Sequence, residues 1–114
     1  MITRTSARHY HWGIACDGWH LVAADSLSVI EEQMPPGASE VRHHHQKARQ
    51  FFYVLSGVLS VELAGEETDL LPRHGLEIAP ATPHRVFNRA DVPAEFLVIS
   101  SPPSHGDRIE SSAS

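Results

Sequence analysis

Glycine and proline interrupt this chain about once in every ten residues, and that spacing restricts the fold more than any other feature. No segment between these residues carries the i, i+3, i+4, i+7 apolar spacing of an amphipathic helix. The segments are instead short and rich in Val, Ile, Leu, Phe and Tyr, as strands are. Short antiparallel strands have to bury their apolar faces against one another. The pattern therefore predicts an all-β domain, either a sandwich or a jelly-roll barrel, and does not choose between them.

Turn residues set the boundaries of the predicted strands. Ser56 and Gly57 indicate a tight turn, Pro-Pro-Gly at 35–37 ends a strand, and the two prolines of 80–83 form a rigid elbow. The predicted strands cover residues 19–23, 27–33, 40–45, 50–55, 58–63, 68–71, 75–78, 84–88 and 95–99.

The length and composition are those of a single domain. We expect one domain over residues 1–114, with the barrel over about 19–101 and a loop and tail over 102–114. The net charge is −5 and the basic residues are scattered, which argues against a nucleic-acid or membrane partner. The amino end has no apolar run typical of a signal peptide. Cys16 is the single cysteine, which fits a reducing compartment, so we expect a cytoplasmic protein.

Histidine is the unusual component, with nine residues of this type. His43 and His45 lie two residues apart in a predicted strand, so their side chains project from one face and His44 projects from the other. Gln50 follows across a turn, and His84 belongs to a distant strand. Inside a barrel these side chains could cluster. Three imidazoles and an oxygen donor, with open positions left over, are the donors of a catalytic mononuclear metal site.

The spacing around these histidines resembles a known motif. From Gly37 the chain reads five residues, His-His-His, four residues, Gln50, six residues and Gly57. This resembles the first motif of the cupin superfamily, in which glutamate usually stands where this chain has Gln50.

A second segment resembles the other cupin motif. It starts at Gly75, passes through a proline-containing turn and ends with His84, three residues and Asn88. Two details depart from the family's pattern: the distance from glycine to histidine is two residues shorter, and Thr82 stands where glycine is usual. The short segment between the two motifs is similar to that of small single-domain bacterial cupins.

The resemblance, over residues 27–101, implies a double-stranded β-helix, that is, a jelly-roll cupin barrel. It implies that one divalent metal ion (Fe²⁺, Mn²⁺, Zn²⁺ or Ni²⁺) is bound by His43, His45, His84 and, in place of glutamate, Gln50. It also implies a homodimer, because the amino-terminal strands of small cupins pack against the partner. The segment 9–19, with two tryptophans and little charge, fits that role.

Gln50 would change the electrostatics of such a site. Its amide oxygen is neutral, so four neutral ligands would leave the full double charge on the ion. We expect weaker metal binding than with glutamate, and stronger attraction of an anionic carboxylate, enolate or hydroxy acid. The alternative is that Gln50 faces the metal without binding it, or hydrogen-bonds a ligand histidine.

Other residues are candidates for substrate contact. Phe52 shares a strand face with Gln50, so it is predicted to line the cavity, and Trp12 belongs to a segment that could cover the cavity mouth or form an ordinary amino-terminal strand. Glu31 would supply a buried general base if its face of the strand points inward; the outward, solvated placement is the alternative. No role is assigned to Asp107 and Arg108.

Two classes of function are open on these grounds. One is a metalloenzyme acting on a small, oxygen-rich anionic substrate, either a dioxygenase or an isomerase or lyase that works through a metal-bound enolate. The other is a non-catalytic module that binds such a small ligand or the metal itself. Cupin folds carry many chemistries, so the fold does not decide between the two classes.

Overall fold

The computed structural model describes residues 1–110 and consists of short β-strands joined by turns. No helix of the described residues is long and apolar enough to cross a membrane. The strands are β1 (Arg8–Trp12), β2 (Cys16–Ala23), β3 (Ser28–Met34), β4 (His43–His45), β5 (Arg49–Ser56), β6 (Leu59–Leu63), β7 (Glu66–Leu70), β8 (Gly75–Ile78), β9 (His84–Phe87), β10 (Ala94–Ser101) and β11 (Arg108–Glu110).

The strands form two antiparallel sheets. One has the order β1-β2-β3-β10-β5-β8, and the other has the order β11-β4-β9-β6-β7. Strand β10 shows why they pack together, because every second side chain from Ala94 to Ser100 is buried and the intervening ones are less so. The core contains Phe96, Met34 and Leu59 among its fully buried side chains. The all-β, jelly-roll prediction is confirmed.

The chain bends at Gly57 as predicted, but β5 and β6 belong to different sheets and do not form a hairpin, and the geometry of the bend requires glycine. Gly57 has a φ of 75°, and a Cβ atom there would lie 2.3 Å from the carbonyl oxygen of Pro93. Any other residue would be strained in the left-handed region and would also displace the segment that leads into β10.

Two boundaries differ from the predicted ones. The first sheet already includes β1 at Arg8, ahead of the predicted start of the barrel at 19. At the other end, residues 108–110 are not loop but strand β11, which pairs with β4. Strand β11 has a single apolar residue and is exposed, so no alternation marks it in the sequence; it forms because it pairs with the backbone of β4. The rest of the predicted tail, 111–114, lies outside the described residues.

Candidate metal centre

Strand β4 brings two of the predicted ligands to one place. His43 and His45 point inward and are 4% and 6% exposed, and His84, on the neighbouring strand β9, is 1% exposed. His43 and His84 are direct partners in the β4–β9 pair. Their ring centroids lie 4.5 Å apart, and those of His43 and His45 lie 4.9 Å apart. One nitrogen from each of the three rings lies within 4.8 Å of the other two, which is a group that could hold a metal ion.

Backbone carbonyls orient two of these rings. Nδ1 of His43 lies 2.8 Å from the carbonyl oxygen of Val41, and Nδ1 of His84 lies 2.9 Å from that of Thr82. Each Nδ1–H donates to its carbonyl, which leaves Nε2 as a lone-pair donor, as in histidines that bind metals. Nε2 of His84 is buried and has no hydrogen-bond partner among the described residues.

Burial keeps these imidazoles neutral. Desolvation is the largest cause in each case, and it lowers the pKa of His43 to about 3 and the pKa of His45 to about 4. The pKa of His84 is lowered for the same reason. A metal ion binds neutral imidazole, so at neutral pH protons do not compete with it for these nitrogens.

The amide of Gln50 is fixed at the start of β5. It is 5% exposed, and its Nε2 donates a hydrogen bond of 3.1 Å to Oγ of Ser100 on β10. Its Oε1 is buried without a partner, as are Nδ1 of His45 and Nε2 of His84. Buried polar atoms without partners cost free energy, and a cation among them would satisfy them. The three imidazoles therefore fit a divalent metal, and Gln50 lines the same cavity as His43 and His45.

A cavity of about 290 Å³ opens beside this group. The two residues predicted to contact substrate, Phe52 and Trp12, both line it. Besides the histidines and Gln50, its lining includes two carboxyl groups, one guanidinium group and one phenol, which belong to Glu32, Glu40, Arg108 and Tyr10. The cavity lining thus combines apolar and ionisable side chains.

Glu32, not Glu31, is the carboxylate of β3 that faces the cavity. Glu31 points to the other side of the sheet and forms an ion pair with Arg4, so of the two placements considered for Glu31 the outward one is found and the buried base is not. The hydroxyl of Tyr10 donates a hydrogen bond of 3.1 Å to Oε2 of Glu32. Burial raises the pKa of Glu32 to about 7, although this hydrogen bond and Arg108 act in the opposite direction. Glu32 therefore titrates near neutral pH.

Glu40 is a cavity residue that the sequence analysis missed. Its Oε1 accepts a hydrogen bond of 2.9 Å from the backbone N–H of Val86, and burial raises its pKa to about 8. The predicted strand 40–45 would have put Glu40 on the face opposite His43, because strand residues alternate. The chain is irregular at 40–42 and becomes a strand only at His43, so the alternation does not apply. The only feature of the sequence that pointed to Glu40 was its position three residues before His43.

Gly18 allows Tyr10 to reach Glu32. The three residues form one row across the first three strands, in which Tyr10 pairs with Gly18 and Gly18 pairs with Glu32. A Cβ atom at Gly18 would lie 2.3 Å from the ring of Tyr10. The ring of Tyr10 therefore crosses strand β2 over the glycine to reach Glu32.

The row of Tyr10, Gly18 and Glu32 predicts changes in the pKa of Glu32 that can be measured without a substrate. Tyr10→Phe removes a hydrogen bond to the carboxylate form, so the pKa of Glu32 should rise above its value of about 7 in the metal-free protein. Gly18→Ala should shift the pKa in the same direction, because the methyl group displaces the tyrosine ring. The ¹³C NMR titration of the glutamate carboxyl groups measures both shifts. Tyr53→Phe on β5 is the matched control and should leave Glu32 unchanged; an unchanged pKa in Tyr10→Phe would contradict the assignment.

The structure gives Asp107 and Arg108 the roles that the sequence did not. Oδ2 of Asp107 accepts hydrogen bonds of 2.9 Å from the backbone N–H groups of Lys47 and Ala48, so it holds the turn between His45 and β5. Arg108 lines the cavity and donates a hydrogen bond of 3.3 Å to the carbonyl oxygen of Val41. Its guanidinium group places a positive charge near the carboxyl groups of Glu32 and Glu40.

A jelly-roll barrel with three buried histidines at this position is the architecture of the cupins. The cupin domain family matches residues 30–100, and the chain belongs to this family. It is 32% identical over 81 residues to the uncharacterized protein MJ1618 of Methanocaldococcus jannaschii, covering 70% of this chain and 65% of that protein. It is 33% identical over 81 residues to the tetracenomycin polyketide synthase protein TcmJ of Streptomyces glaucescens, covering 71% of this chain and 54% of TcmJ.

Among solved structures, the chain is similar to the polyketide cyclase RemF of Streptomyces resistomycificus. The TM-score is 0.86 at 19% identity, with 100% of this chain and 86% of RemF covered. At that identity the similarity shows the shared fold. The chain spans less than two thirds of the length of the curated relatives MJ1618 and TcmJ.

Proposed function

We propose that this cupin is a metal-dependent enzyme that removes a proton next to a carbonyl group of a small, oxygen-rich anionic substrate, as an isomerase, lyase or cyclase does. The observation that carries the proposal is the position of Glu32. This carboxylate is hydrogen-bonded by Tyr10 and lines the same cavity as His43 and His45. A base that lines the same cavity as the proposed metal site is the arrangement that enolisation of a carbonyl compound requires.

The proposed ligands are His43, His45, His84 and Gln50, and the metal is one of Fe²⁺, Mn²⁺, Zn²⁺ or Ni²⁺. When bound, such an ion supplies a Lewis acid that polarises a carbonyl oxygen of the substrate.

The protein's own side chains supply the rest of the chemistry. Oε1 of Glu32 accepts the α-proton while the hydroxyl of Tyr10 holds Oε2 in place. A base whose pKa is about 7 accepts a proton and releases it again at neutral pH. Phe52 and Trp12 form the apolar walls that keep water from the reacting carbon, and Arg108 attracts the anionic group of the substrate.

The relatives support carbonyl chemistry. TcmJ is named as a polyketide synthase protein and RemF as a polyketide cyclase. Ring closure of a polyketone starts with loss of a proton between two carbonyl groups, which is the step assigned to Glu32. The ionisable cavity lining favours an enzyme that transfers protons over a dioxygenase, because apolar walls would suffice for a dioxygenase. The homodimer stays a prediction, because the structure describes one chain.

Exchange of α-protons for deuterium tests the proposal directly. Pyruvate is a suitable probe because it is anionic, chelates divalent metals and loses its methyl protons slowly in water. We expect the protein loaded with Mn²⁺, Zn²⁺ or Ni²⁺ to accelerate this exchange in D₂O. Mass spectrometry measures the deuterium incorporated into pyruvate. Oxygen consumption without exchange would assign a dioxygenase. Binding of pyruvate without exchange or oxygen uptake would assign the non-catalytic binding module and overturn the proposal.

A further inference from the structure

Strand β1 has two faces with different chemistry. Tyr10 and Trp12 line the cavity. His9 and His11 alternate with them and lie near Asp17 of strand β2, which is the direct partner of His11 in the β1–β2 pair. Neither the proposed metal centre nor its cavity includes these three residues.

The three side chains converge on one point. Nε2 of His9 lies 2.7 Å from Oδ1 of Asp17, and Nδ1 of His11 lies 3.1 Å from the same oxygen. The two imidazole rings stand edge to face with centroids 4.7 Å apart. One ligand atom from each residue lies within 4.8 Å of the other two. Neighbouring ligands that bind one ion at about 2.1 Å are separated by about 3.0 Å at right angles and by about 3.4 Å in a tetrahedral site. The separation of His9 and Asp17 is a hydrogen bond of 2.7 Å and that of His11 and Asp17 is 3.1 Å, so an ion could replace the hydrogen bond with small movements of the side chains.

We propose that His9, His11 and Asp17 form a second divalent cation site, on the outer face of the β1–β2 hairpin. Two imidazoles and one carboxylate are a donor set that Zn²⁺, Ni²⁺ and Cu²⁺ accept. One face of the site is open, so water completes the coordination. The site does not depend on the proposed function, because none of its ligands lines the catalytic cavity.

A cation at this site would link the first two strands of the sheet. Strand β1 is an edge strand, and it is held to the sheet through β2. The same two strands carry Tyr10 and Gly18, so a cation between His11 and Asp17 stabilises the hairpin that holds Tyr10 against Glu32. The nearby cation Arg4 is paired with Glu31 and Glu95, which reduces its repulsion of a second positive charge.

Trp19 provides a local signal for binding. Its ring centroid lies 5.3 Å from that of His9, so Cu²⁺ at the site should quench its fluorescence. Calorimetry with Zn²⁺ supplies an independent count of bound ions.

The test uses the full chain carrying His43→Ala and His84→Ala, which removes the cavity ligands. We expect this variant to bind one equivalent of Zn²⁺ and to show quenching by Cu²⁺. Adding His9→Ala or Asp17→Asn should weaken Zn²⁺ binding at least about tenfold and remove most of the quenching. Adding His44→Ala, a matched control outside the cluster, should change neither. In the wild-type chain, His9→Ala should reduce Zn²⁺ from two equivalents to one. Absence of Zn²⁺ binding in the folded cavity variant, or binding there that His9→Ala and Asp17→Asn leave unchanged, would overturn the proposal.

Discussion

Glu32→Gln should slow exchange of the substrate's α-protons by about 10²- to 10³-fold, because a glutamine amide cannot accept the proton. The substitution keeps the size of the side chain and an oxygen that Tyr10 can hydrogen-bond, so the cavity should keep its shape. Metal affinity should change little, since Glu32 is not among the proposed ligands. The loss should therefore be in kcat, measured as the rate of deuterium incorporation into saturating pyruvate.

Glu31→Gln is the matched control for this prediction. Glu31 is the adjacent residue on the same strand, and it pairs with Arg4 on the opposite face of the sheet. Its substitution removes the same charge without touching the cavity, so exchange should continue at the wild-type rate. Equal rates in wild type and Glu32→Gln would show that Glu32 is not the base.

Gln50→Glu should raise the affinity for the metal and lower the affinity for an anionic ligand that binds next to it. It brings a negative charge to within about 2 Å of the proposed ion, so metal affinity should rise by at least about tenfold. The hydroxyl of Ser100, which now accepts from the amide, can donate to the new carboxylate, so the side chain need not move. The same charge should weaken an anion that binds next to the ion. Competition with a chelator measures the first effect, and calorimetry of pyruvate binding to the metal-loaded protein measures the second.

Gln46→Glu is the control for the change in net charge. Gln46 is exposed and four residues from Gln50, so its substitution adds the same charge outside the cavity. Both affinities should then stay close to the wild-type values. If Gln50→Glu leaves both affinities unchanged, Gln50 does not bind the metal; if it weakens both, the charge argument is wrong.

Local spacing predicted the all-β class and the shared strand face of His43 and His45, whereas the jelly-roll barrel came from the resemblance to cupins. Glycine and proline mark the strand ends, and the two-residue spacing of His43 and His45 puts them on one face of a strand. The pairing of His43 with His84 depends on the order of strands in the sheet, which came from the resemblance to cupins and not from periodicity.

The acid–base residues could not be predicted in the same way. Glu40 faces the cavity because the backbone is irregular just before β4, and alternation carries no information there. Tyr10 reaches Glu32 only because β1, β2 and β3 are in a register that places Gly18 between them. Strand register is a tertiary property, so neither Tyr10 nor the choice between Glu31 and Glu32 is visible in the sequence.

The central claim is that His43, His45 and His84 hold a divalent metal, and elemental analysis of protein purified without a histidine tag tests it most directly. The cavity should hold one equivalent of metal in the wild type, and this equivalent should be absent in folded His84→Ala and His43→Ala variants. To keep the outer site from contributing, the measurement is made in a chain that also carries His9→Ala. His44→Ala, whose side chain lies between the two inward histidines on the other face of β4, should retain the metal. Retention of a full equivalent by His84→Ala or His43→Ala in that background would contradict the account.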